Sequence, residues 1–189
     1  MDHSGGTDPS AADDLDRLSA WAAEIRVDEA VDQRRRAAWL HRQAGEESTL
    51  CGVVVDLAEH GRTVTVQTSV GHRHQGRLEL AGVDVVGLRS AEGQLLLARL
   101  DAITSVRPQT GSPVVTGDER LDTTITLRGE MEKLSRDRPR LVVTTSGGEA
   151  LVGTLMSVGR DVATMAIDAG GKVYVALGSV VEVSVPESG

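Results

Sequence analysis

The chain has 189 residues, with 20 Lys and Arg against 28 Asp and Glu, for a formal net charge of −8. That length suits one domain or two small ones. The charge excludes a strongly basic nucleic-acid footprint, and two Trp, one Tyr and no Phe leave few stacking platforms for bases. No apolar run approaches the roughly 18 residues of a membrane-spanning helix, so no membrane partner is expected.

The chain opens Met1-Asp2-His3, without the basic start and apolar core of a secretory signal. A single cysteine, Cys51, excludes an internal disulfide framework and suits a reducing compartment. The expected location is cytoplasmic. Residues 1–32 hold nine acids and two arginines, so the acidity sits in a head segment and the rest of the chain is near neutral.

In chain order, residues 1–11 are polar with Gly and Pro and are expected to be disordered. Leu15, Leu18, Ala22 and Ile25 share one face of a helix predicted over 13–26, with Asp13 and Asp14 in its first turn. A second helix is predicted over 28–44. A third is predicted over 47–60, where Leu50, Val53, Val54, Leu57 and Ala58 follow helical spacing and Gly61 supplies the stop. The Val53-Val54-Val55 run also suits a strand, and the helix is preferred because Leu127, Met131 and Leu134 keep helical spacing further on.

That comparison rests on a duplication. Shifted by 77 positions, residues 50–106 align with 127–183 without a gap. Gly71/Gly148, Gly76/Gly153, Gly82/Gly159 and Gly93/Gly170 coincide, as do Thr68/Thr145, Leu78/Leu155 and Asp84/Asp161. Two copies of one module are therefore expected. Strands are predicted near 63–68, 74–80, 83–89, 94–99 and 102–107. In the second copy they fall near 140–145, 151–157, 162–168, 172–177 and 179–185. Gly71/Gly148 and Gly93/Gly170 read as hairpin turns, and Gly76/Gly153 as a bulge or bend. Residues 108–124, rich in Pro, Gly, Ser and Thr, read as a linker.

A helix followed by five bent strands resembles the Sm-like fold. In the second copy, Gly148-Glu149-Ala150-Leu151-Val152-Gly153-Thr154-Leu155 resembles that family's first motif, and Leu177-Gly178-Ser179-Val180 its second. The first copy keeps Gly71, Gly76 and Leu78 but has Leu100-Asp101-Ala102-Ile103 at the second motif. The chain as a whole also resembles proteins of high-GC Gram-positive bacteria. The resemblance implies a mainly β fold with α: two tandem helix-plus-five-strand Sm-like barrels behind an N-terminal helical segment. The implied division is an acidic segment 1–46, a first barrel 47–107, a linker 108–124 and a second barrel 125–186. It also implies that edge strands of neighbouring barrels pair. The family's RNA-binding Asn and Arg-Gly pair are replaced by Val86-Gly87 and Ala163-Thr164, and by Leu100-Asp101 and Leu177-Gly178. The implied protein assembles without the family's uridine pocket.

His72-Arg73-His74 is the one clustered histidine pair. Period-two spacing puts both rings on one strand face, but a metal site needs three or four ligands and no third is evident nearby. A solvated hairpin is the preferred reading. Asp84/Asp161 reads as a turn residue capping its own backbone. Cys51 reads as an inert buried thiol, and the lone Trp and Met residues as core. No phosphate loop, dinucleotide fingerprint, nucleophile elbow or HExxH helix is present, so no enzyme, cofactor or metal is expected. The function these residues favour is a non-enzymatic cytosolic assembly or adaptor protein that self-associates and holds an unidentified protein partner. The alternative is RNA or DNA binding through Arg34, Arg35 and Arg36 with Arg73 and Arg77 of the first copy.

Overall fold

The computed structural model describes residues 48–109, Gly117, 124–168 and 170–186, together with Arg36 and Trp39. Apart from Arg36 and Trp39, which are helical and exposed, the expected head segment 1–46 with its helices over 13–26 and 28–44, and most of the linker, lie outside the described residues.

Two helices lead the two copies. Helix α1, Leu50–Glu59, starts at Thr49, whose hydroxyl accepts from the Gly52 amide at 3.0 Å. Helix α2, Leu127–Ser135, starts at Thr126, which accepts from Gly129 at 3.1 Å. A threonine cap satisfies an otherwise orphaned amide, and both copies use it. The strand alternative for Val53–Val55 is thereby settled in favour of helix.

The strands are β1 Thr63–Thr68, β2 Arg73–Ala81, β3 Val85–Arg89, β4 Leu95–Arg99, β5 Ile103–Pro108, β6 Arg140–Thr145, β7 Ala150–Val158, β8 Val162–Ile167, β9 Lys172–Ala176 and β10 Val180–Val185. They lie within a few residues of the expected positions. Gly71, Gly93, Gly148 and Gly170 adopt φ between 81° and 88°, the left-handed conformation their hairpin turns require. Gly76 has another role: a Cβ there would stand 2.6 Å from the Arg89 carbonyl oxygen. It lets β2 and β3 approach, while the register shift lies further on, between Leu78 and Leu80, so the bulge expected at Gly76 is displaced.

The expected pair of Sm-like barrels is not what forms. All ten strands join one antiparallel sheet in the order β5-β1-β2-β3-β4-β10-β6-β7-β8-β9. Strand β4 spends its outer edge on β10, from Glu182 opposite Ala98 to Val185 opposite Leu95. Neither five-strand set therefore closes on itself by hydrogen bonds, and among the described residues β5 and β9 are the two open edges. Among residues 48–186 that are described, the architecture is mainly β, with two α-helices on one open sheet rather than two helix-plus-five-strand barrels.

Packing gives the same account. One core gathers Val54, Leu57, Val66, Leu78 and Leu88 of the first copy. The other joins Met131, Leu141, Leu155 and Met165 of the second copy to Val85 and Leu97 of the first. Apolar burial thus continues across the boundary between copies.

Candidate functional site

The boundary between copies carries the densest polar chemistry among the described residues. The β1–β2 hairpin presents His72 and His74 on one face, two positions apart. Glu182 of β10 lies opposite Ala98 of β4 on one side and Thr144 of β6 on the other. His72 Nδ1 is 2.6 Å from Glu182 Oε1, and His74 Nε2 is 2.9 Å from Oε2. Thr144 Oγ1 donates to Oε1 and Thr68 Oγ1 to Oε2, each at 3.2 Å.

The Glu182 residue is only 4% exposed. Burial pushes its carboxyl up, but the hydrogen bonds from His74 and His72, reinforced by their charge, outweigh burial and hold it at about 2. The solvated-hairpin reading of His72 and His74 is corrected here. Their third partner stands more than 100 positions away along the chain, where no local spacing rule reaches. The second copy has Glu149 and Leu151 at the two histidine positions, and Ser105 of the first copy replaces Glu182, so the cluster occurs once.

Further contacts seal the same boundary. The Val83 amide donates to the Ile125 carbonyl at 2.8 Å. Arg99 Nη1 donates to the Gly178 carbonyl at 3.0 Å while its Nε and Nη2 hold Asp101. Asp84 Oδ1 accepts from the Leu127 amide at 2.7 Å, so this carboxylate caps α2 of the other copy rather than its own turn. Its negative charge also suits the helix N-terminus. Asp84→Ala is expected to cost about 1 kcal/mol, read as a lower urea midpoint at unchanged slope.

The arginines proposed for nucleic acid are not gathered in one described patch. Arg34 and Arg35 lie outside the described residues, and Arg36 is described only as helical and exposed. Arg73 and Arg77 are both exposed on one face of β2, with no ion-pair partner among the described residues. Arg77 borders a groove of about 410 Å³ with Thr63, Gln75 and Ser90. Arg89 is held by Glu79 at 2.9 Å. Cys51 is half-buried, and burial pushes its thiol up, which suits an inert role. Trp39, expected in a core, is exposed.

No helix among the described residues is long and apolar enough to cross a membrane. Comparison with protein-family models, with curated proteins and with solved structures finds no match.

Proposed function

We propose that this protein is a non-enzymatic cytosolic assembly module whose chains join head to tail, β9 of one chain pairing with β5 of the next, to form a platform for a protein partner. The internal boundary transposes by one repeat onto the chain's free edges. β4 and β9 occupy equivalent positions, as do β5 and β10. Since β4 pairs with β10 inside the chain, β9 is shaped to pair with β5 of another.

The observation that carries this reading is a mismatch in burial. Leu127 and Leu97 are 3% and 2% exposed at the internal boundary, whereas their equivalents Leu50 and Tyr174 are 41% and 69% exposed. Isolated exposed apolar residues are ordinary, but these two stand where the internal boundary buries its own. A groove of about 250 Å³ beside β9, lined by Thr145, Glu149, Leu151 and Tyr174, matches the first-copy site that receives Glu182. Asp161 takes the position from which Asp84 caps α2, facing the Leu50 amide of a neighbouring chain.

The transposed contact has a built-in weakness. Gln109 donates inward to Thr63 at 3.0 Å, so alternation turns position 108 outward, where Pro108 has no N–H. Ser105 also replaces the buried Glu182. The contact between chains is therefore weaker than the internal one, which suits reversible assembly. A heterologous contact closes into a ring or grows into a filament, according to its rotation. Light scattering across a concentration series tests the reading: mass rises in multiples of the chain, and a constant monomer mass overturns it.

A second reading rests on Arg73 and Arg77, exposed on one face of β2 with no ion-pair partner among the described residues. If this face binds RNA or DNA, affinity falls steeply with salt, and the Arg73→Ala/Arg77→Ala pair reduces both affinity and salt slope. Unchanged binding in a filter or polarisation assay removes that reading.

A further inference from the structure

We infer that His72, His74 and Glu182 form a binding site for a late first-row divalent cation, zinc being the best fit, that ties the two copies of one chain together. Three observations carry this.

The first is ligand chemistry. Two imidazoles and a carboxylate are a ligand set that suits zinc, cobalt and nickel, whereas calcium and magnesium prefer oxygen donors throughout. The second is convergence. One donor atom from each residue lies within 4.8 Å of the others. Around a tetrahedral zinc, bonds of about 2.0–2.1 Å set neighbouring donors roughly 3.3 Å apart. The two histidine nitrogens contact different oxygens of Glu182, at 2.6 and 2.9 Å, so an ion would enter between the rings and the carboxylate with these two hydrogen bonds giving way to metal bonds. The rings stand nearly perpendicular, at 87°, with centroids 6.1 Å apart.

The third is the support around the ligands. Thr68 and Thr144 each donate to a different oxygen of Glu182, fixing the carboxylate as hydrogen-bonded neighbours commonly fix a metal ligand. Among the described residues no Lys or Arg pairs with this buried acid; its partners are the two imidazoles and the two hydroxyls. Buried charges are paired or coordinate metals. The half-exposed His72 leaves a route for the ion and room for water as a fourth ligand. All three ligands belong to one chain, so this inference stands apart from the assembly between chains.

The test uses the full chain stripped with a chelator and titrated with Co²⁺, then Zn²⁺. One Co²⁺ per chain is expected, with the intense visible absorption of a four-coordinate ion, and Zn²⁺ abolishes it. His72→Ala alters a half-exposed side chain and should fold normally by circular dichroism. It and Glu182→Gln are each expected to weaken Zn²⁺ binding at least tenfold. Absence of saturable binding to the wild-type chain overturns the site. So does equal binding by wild type and both variants, the result for adventitious surface histidines such as His60.

Discussion

Mixing a Val106→Cys chain with a Tyr174→Cys chain, both carrying Cys51→Ala, is expected to give a covalent heterodimer under mild oxidation. The pair follows from the internal register. Val183 faces Leu97 there, and one repeat away the same geometry sets Val106 opposite Tyr174 of another chain. Directly opposed residues of an antiparallel pair have Cα atoms roughly 4.5–5.5 Å apart. A disulfide spans roughly 4.4–6.8 Å, so the pair is bridgeable. A Val152→Cys chain serves as control: it is exposed on β7, away from the edge, and should not cross-link to Val106→Cys. Without cysteines, Tyr174→Glu and Leu50→Asp should each weaken association at least about tenfold, since both place a charge where the internal counterpart is buried. Transposition puts Leu50 against Val162 and Tyr174 of the neighbour, as Leu127 shares a core with Val85 and Leu97. The two variants disrupt opposite faces of one contact, so a mixture of them should not regain full-length assemblies. Equal cross-linking with the control, or unaltered mass in both charged variants, would remove β9 and β5 as the interface.

Much of the module was legible because its signals are local. The glycine turns at Gly71, Gly93, Gly148 and Gly170 announce themselves by residue type, since few others tolerate that backbone. The repeat doubled each signal, and helix α1 was recovered despite its valine run because α2 lacks one. Thr49 and Thr126 gave a further matched signal, the paired helix caps, that pattern reading passed over.

What was not legible depends on which edge of one copy meets the other. An alternating strand such as β4 shows its apolar face in the sequence but not the partner of its edge, and closure on its own β5 or pairing with β10 reads alike. The same gap hid the polar cluster. His72 and His74 were visible as a pair, but Glu182 sits in an apolar run, Val180-Val181-Glu182-Val183, where its burial was the only hint of a partner. Asp84 was read as structural for the wrong reason: its carboxylate serves a helix 43 positions onward rather than its own turn.

Glu182→Gln, studied in chelator-treated protein, is expected to show what the buried acid contributes without an ion. The ordinary carboxyl value of 4.5 falls to about 2 in the folded chain. That difference corresponds to roughly 3 kcal/mol of stability, given about 1.4 kcal/mol for each pH unit of displacement. The sign follows from proton counting. Between about 4.5 and 2 the unfolded chain holds a proton on this carboxyl that the folded chain lacks, so acidification favours unfolding. The stabilisation is complete above the unfolded value and is lost as pH falls toward the folded one. Urea midpoints should therefore separate wild type from Glu182→Gln widely just above the ordinary carboxyl value of 4.5 and converge as pH approaches 2. A Gln amide keeps the size of the side chain and accepts from Thr68 or Thr144, but it removes the charge that the imidazoles meet. If the gap between the two proteins is the same at about pH 5 and near pH 2, the carboxylate charge is not what holds the copies together, and the threonine hydrogen bonds and strand pairing carry the boundary instead.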